Sequence, residues 1–142
     1  MERISGESTI EIEFNVLNRP TYPLRRQAIS DIEGTLRIRF GDKIVFDERD
    51  ILLAEFAMCL YEWLTEVESD PELPFVYESM DYEETPILRI EVIGSNVSIS
   101  SKWNEEIHIA SDATNISSFV FSAKSFLTRF EAAIPGISTC FS

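Results

Sequence analysis

The sequence predicts an α+β domain, a mostly antiparallel sheet of about five to seven strands with two helices packed on one face. Three observations carry this. Apolar and polar residues alternate with period two in several short stretches, most regularly over 86–103. Two longer stretches, near 50–68 and 115–133, repeat apolar residues at intervals of three and four instead. The resulting order is strands, helix, strands, helix. At 142 residues the chain reads as a single domain, 1–142, long enough to bury roughly 68–70% of its unfolded surface without staples.

The first strand is expected over 8–16, with Ile10, Ile12, Phe14 and Val16 on one face and Glu11, Glu13 and Asn15 on the other. Two prolines in Asn18-Arg-Pro-Thr-Tyr-Pro forbid a helix and predict a loop. Residues 31–40 alternate again, Ile32, Leu36, Ile38 and Phe40 inward and Arg37 and Arg39 outward, with Gly34 on the inward parity as the mark of a bulge or a close backbone approach. Gly41-Asp42-Lys43 reads as a turn, and Ile44-Val45-Phe46 as a short returning strand. Asp47 is the expected N-cap of the first helix, which runs to about Glu68 on Leu53, Phe56, Leu60, Leu64 and Val67. Its apolar arc is wide and its polar stripe thin (Glu55, Glu62, Glu66), which predicts cover from the sheet and from the second helix. Ser69-Asp-Pro-Glu-Leu-Pro stops it, and Phe75–Tyr82 reads as an edge strand or extended loop.

The best-determined piece follows. Leu88, Ile90 and Val92 alternate with Arg89 and Glu91, and Gly94-Ser95 suits a two-residue turn. That register sets Val92 opposite Val97, Ile90 opposite Ile99, Arg89 opposite Ser100 and Glu91 opposite Ser98. A further short strand is expected at Ile107–Ala110. The second helix, about 115–133, carries Ile116, Phe119, Val120, Ala123, Phe126 (or Leu127), Phe130 and Ile134 as its apolar stripe, and Pro135-Gly136 ends it. Residues 137–142 are expected to fray.

The formal net charge is −13, and it is regional. Between Asp50 and Leu88 stand eleven acids and no Lys, Arg or His, while the remainder is nearly neutral. Such a balance disfavours direct binding to nucleic acid and to anionic membranes and favours rapid encounter with basic proteins. The N-terminal residues lack an apolar signal core and no stretch is apolar enough to span a membrane, so a soluble cytoplasmic protein is expected. Cys59 and Cys140 do not make a disulfide framework; Cys59 reads as a small buried hydrophobe.

Catalytic patterns are missing. One His, His108, must serve any triad or zinc site, and it falls mid-strand as an expected surface residue. Asp81, Glu83 and Glu84 lack the glycine-centred loop of a calcium site, and the five glycines are scattered singly, so no phosphate loop forms. No metal and no cofactor is expected, nor any enzymatic activity. What stands out is acid beside aromatic: Tyr77, Tyr82 and Trp103 among Glu78, Asp81, Glu83, Glu84, Glu105 and Glu106. Rings anchor interfaces and acids steer a basic partner, whereas a purely solvating face normally interleaves Lys with Glu.

The segment Tyr77-Glu-Ser-Met-Asp-Tyr-Glu-Glu-Thr-Pro-Ile-Leu, followed by a strand, a hairpin and Trp103, resembles short acidic bacterial immunity proteins of polymorphic and contact-dependent toxin systems. The resemblance covers the layout from Leu52 to Ile134. It implies a cytoplasmic, non-catalytic binding protein that masks the active site of a cognate toxin, often a basic nuclease; a monomer or homodimer is expected. No contact residue carries over from it. The expected partner-binding residues, Tyr77, Glu78, Asp81, Tyr82, Glu83, Glu84, Trp103, Glu105 and Glu106, rest on charge and ring type. Two alternatives stand beside this reading: a module that self-associates through a strand edge or an apolar helix face, and a small enzyme with an unrecognised carboxylate site.

Overall fold

The alternation at the start of the chain becomes β1 (Ile10–Val16), with Ile10 and Ile12 buried and Glu11 and Asn15 in solvent. The structure, a computed structural model, describes residues 10–70, 72–78, 87–93, 96–101, 104–111 and 116–141, with backbone alone at 28, 92, 93, 96, 97, 104–111 and 116. β2 (Glu33–Phe40) lies antiparallel to β1, from Ile10 opposite Phe40 to Val16 opposite Gly34. Leu36 and Ile38 point into the core, and Arg39 on the outer face binds Glu11 at 2.8 Å and Glu13 at 3.2 Å. Gly34 is a close approach, as its parity predicts. A Cβ there would collide with the Asn15 carbonyl oxygen and lie 2.6 Å from Leu53 Cδ1.

Gly41, at φ 61°, turns the chain into β3 (Lys43–Leu52). This strand is ten residues long, not the three expected, and it absorbs the expected helix start. Asp47 caps nothing; it stands opposite Arg37 and pairs with it at 3.4 Å. The stretch 47–50 is polar and buries little in either conformation. The edge of β2 therefore decides, because a ladder gives the backbone groups partners. Two register shifts interrupt the β2–β3 pairing, and bulges of this kind blunt a long edge strand.

α1 (Leu53–Val67) begins where the Leu53 amide donates to Ile32 O at 2.9 Å, with no side-chain cap. It packs on β2 and β3, on β4 (Phe75–Tyr77) and on α2 (Ile116–Ala133). Phe56 is the hub: its ring lies 5.8 Å from Phe75, 5.4 Å from Tyr77 and 5.3 Å from Phe126. The wide apolar arc is thereby covered from several sides, as its width requires. Trp63, also buried, donates its indole N–H to Leu73 O at 2.9 Å and holds the turn that leaves the helix.

β5 (Leu88–Ile93) and β6 (Asn96–Ser101) form the expected hairpin, with Arg89 opposite Ser100, Ile90 opposite Ile99, Glu91 opposite Ser98 and Val92 opposite Val97. The connecting Gly94-Ser95 lies outside the described residues. β7 (Asn104–Ser111) is longer than the expected Ile107–Ala110, and His108 stands opposite Ile99 in its register. β4 pairs with β5 as a three-residue edge strand.

Among the described residues the strands form two antiparallel sheets, β1-β2-β3 and β4-β5-β6-β7, where one sheet was expected. Alternation says which face of a strand is buried; it does not say which strand is its neighbour. The two sheets share a single core, which also takes in α1 and α2. α2 keeps its expected stripe: Phe119, Ala123, Phe126 and Phe130 are buried, with Ile134 just beyond. Its side chains also finish the outer edge of β1. Ser118 Oγ accepts from the Ile10 amide at 3.3 Å, Ser122 Oγ donates to Ile10 O, and Arg129 donates to Ile12 O at 2.7 Å.

Residues 137–141 do not fray, and Ser142 lies outside the described residues. After Gly136 (φ 90°) a short 3-10 turn, Ile137–Cys140, buries Ile137 and brings Phe141 within 5.9 Å of the Tyr61 ring. Glu131 accepts from the amides of Gly136 at 2.6 Å and Ser138 at 3.0 Å, which ties the turn to α2.

Candidate functional site

The open side of α1 is an acidic stripe. Glu55, Cys59, Glu62 and Glu66 follow one another at helical spacing, with Glu55 half-buried and Glu62 and Glu66 exposed. Glu68, Asp70 and Glu72 continue the acid past the helix end, all three exposed. Glu78, just after β4, joins them. Burial pushes the Cys59 thiol up to about 12, and Glu55, Glu62 and Glu78 act on it together in the same direction. Among the described residues none of Glu55, Glu62, Glu66, Glu68, Asp70, Glu72 or Glu78 makes an ion pair; the pairs present lie on the two sheets. Tyr61 sits at the margin of this stripe, 41% exposed.

The sequence-predicted residues fall in four groups. Glu78 is exposed, as expected. Tyr77 is fully buried: its ring packs on Phe56, and its hydroxyl donates to Glu55 Oε1 at 3.1 Å. It is therefore corrected from a surface anchor to a core residue that holds Glu55 in place. Its parity partner Phe75 is buried with it, because β4 lays that face against α1. Glu105 and Glu106 lie in β7, where the backbone alone is described. Asp81, Tyr82, Glu83, Glu84 and Trp103 lie outside the described residues. The exposed ring beside this face that the sequence reading missed is Tyr61. Its signal was present: the polar Thr65 and Glu68, four and seven positions on, lie on its side of the helix.

Residues 10–136 match the family described as a domain of unknown function (DUF7878). The chain belongs to this family. The match opens on the first residue of β1 and closes on the glycine after α2, so it takes in both sheets and both helices. No curated protein and no solved structure matches the chain.

Elsewhere on this DUF7878 domain several charged groups have structural partners. The loop after β1 clasps the C-terminal end of α2, with Arg19 donating to Ala133 O and the Tyr22 hydroxyl to Pro135 O, each at 3.1 Å. Cations and donors there satisfy carbonyls that the helix leaves unpaired. Among the described residues no group of three His, Cys, Asp or Glu is placed to hold a metal ion, and no helix is long and apolar enough to cross a membrane.

Proposed function

We propose that this DUF7878 domain is a non-catalytic binding protein that neutralises a basic toxin domain, an immunity protein in role, through the acidic face of α1 and the turn beyond it. One observation carries the reading: an exposed run of carboxylates, from Glu62 to Glu78, with no cation among the described residues to balance it. Exposed acids of one sign raise the encounter rate with a basic partner, and the rate then falls steeply with salt. Tyr61 supplies a ring at the margin of the face, suited to anchoring. Asp81, Glu83 and Glu84 follow Glu78 in sequence and add to the same charge.

The test is co-expression with the product of the adjacent reading frame. Growth arrest by the neighbour alone and rescue by this chain is the expected result. With the purified pair, the association rate should drop at high ionic strength, and the double variant Glu62→Lys, Glu66→Lys should lower it about tenfold or more. An association rate that is flat with salt and indifferent to that double variant would remove the acidic face from the interface. A neighbour that is harmless, or toxic without rescue, would remove the immunity role.

A further inference from the structure

Phe121 stands on α2 with 75% of its surface exposed, more than any other large apolar residue among those described. It plays no part in the core, which takes Phe119, Ala123, Phe126 and Phe130 from the same helix. It borders a groove of about 350 Å³ between β1 and α2. Glu11 and Glu13 form the strand wall; three serines and Arg129 form the helix wall. The outward backbone groups of β1 are already bonded here to Ser118, Ser122 and Arg129. The edge therefore has no free ladder at Ile10 for an added strand, and the groove suits an inserted side chain instead.

Charge selects the occupant. The two walls differ in sign: Glu11 and Glu13 on the strand share a single cation, Arg39, and so keep a net negative charge, whereas the helix carries Arg129, with the exposed Lys124 close by on α2. The acid of α2 is Glu131, and the amides of Gly136 and Ser138 engage its carboxylate. On this surface a chain of net charge −13 can meet its own copy without setting acid against acid. A two-fold axis along the groove sets the helix wall of one copy against the strand wall of the other. Like charges are then kept apart, and each Phe121 faces the other copy's groove.

We infer that the protein forms a two-fold homodimer through the β1–α2 groove, with Phe121 of each copy seated in the groove of the other. The interface uses α2, which leaves the acidic stripe of α1 free. Sedimentation velocity of the full chain over a range of concentrations tests it. The mass should move from 16.3 kDa to twice that value as concentration rises. Phe121→Ser should raise the dimer dissociation constant about tenfold or more, as loss of a buried aromatic anchor does. Lys124→Glu should weaken the dimer as well. Both side chains are exposed, so unchanged circular dichroism and melting temperature are expected and separate dissociation from misfolding. A single-chain mass at every concentration overturns the proposal and leaves Phe121 to a partner of another kind. A dimer that both variants leave intact overturns it too, because the contact then lies elsewhere.

Discussion

Glu66→Lys should stabilise the isolated domain while weakening its proposed complex. Glu66 is exposed in the last turn of α1, a turn without a basic residue, and its carbonyl accepts from the amides of Ser69 and Asp70. An anion there opposes the helix macrodipole, and a cation complements it, each by about 0.3–1 kcal/mol at low ionic strength. The same change turns the like-charged Glu62–Glu66 pair into a favourable i, i+4 pair with Glu on the N-terminal side, for a few tenths of a kcal/mol more. Together these come to about 1 kcal/mol. A chain of this size loses stability near its midpoint at about 0.3 kcal/mol per kelvin, so the melting temperature should rise by about 3 °C. Thermal unfolding at low salt is the assay, repeated at high salt, where the gain should shrink. A melting temperature that falls would refute the reasoning: Glu66 would then hold local structure, and the acid at this end of α1 would need no partner to explain it.

Gly34→Ala should cost about 3 kcal/mol, near the upper end for overpacking, because the Asn15 backbone and the Leu53 side chain both meet the new methyl; urea unfolding reads the cost, and a loss under about 0.5 kcal/mol would deny the close approach. Tyr77→Phe keeps the ring packing and removes the hydrogen bond to Glu55, for a loss of about 1 kcal/mol by the same method. Glu131 is held below the ordinary 4.5, first by the Gly136 amide and then by that of Ser138. A depressed folded value gives stability that is complete above the unfolded value and is lost as pH falls through the folded one. Glu131→Gln should therefore lower the urea midpoint at pH 7, with the gap from wild type closing as pH drops below about 4.5. Cys59, its thiol pushed up to about 12, should resist alkylation at pH 8 in the native protein and react once the chain is unfolded, as mass spectrometry of the labelled peptides would report.

The hairpin β5–β6 was legible to the residue because one register alone sets Ile90 opposite Ile99 and Val92 opposite Val97. The stripe of α2 was legible because Phe119, Ala123, Phe126 and Phe130 recur at intervals of three and four. β3 was not, since Asp47–Asp50 carries neither period, and the outcome depended on an edge of β2 that a linear reading cannot supply. The division into two sheets was hidden for a related reason: pairing is a long-range choice, and each strand shows only its own alternation. The C-terminal turn was hidden because Glu131, Gly136 and Ser138 come together through the αL geometry at Gly136, a conformation the sequence permits without dictating. Of the candidate site, the charge was countable and the rings were not. A tyrosine in a polar passage reads as exposed, and Tyr77 is buried because its hydroxyl finds a carboxylate twenty-two positions away.

The same packing explains why the unbalanced acid collects on α1. That helix is covered by β2, β3, β4 and α2, so the stripe it leaves to solvent is narrow. A narrow stripe concentrates whatever charge it carries. On the sheets Arg37, Arg39 and Arg89 stand within reach of acids, and each makes an ion pair. On α1 the charged residues are carboxylates alone, including one at the helix end where a carboxylate is locally unfavourable. Solubility would be served as well by interleaved Lys and Glu, at no cost to the helix. α2 is the internal control: also exposed to solvent on its outer side, it carries Lys124 and Arg129 with its single acid engaged by backbone amides. The fold thus presents two helices of different electrical character, and the two proposals rest on that contrast: a basic protein as the partner proposed for α1, a second copy of the chain as the one proposed for α2.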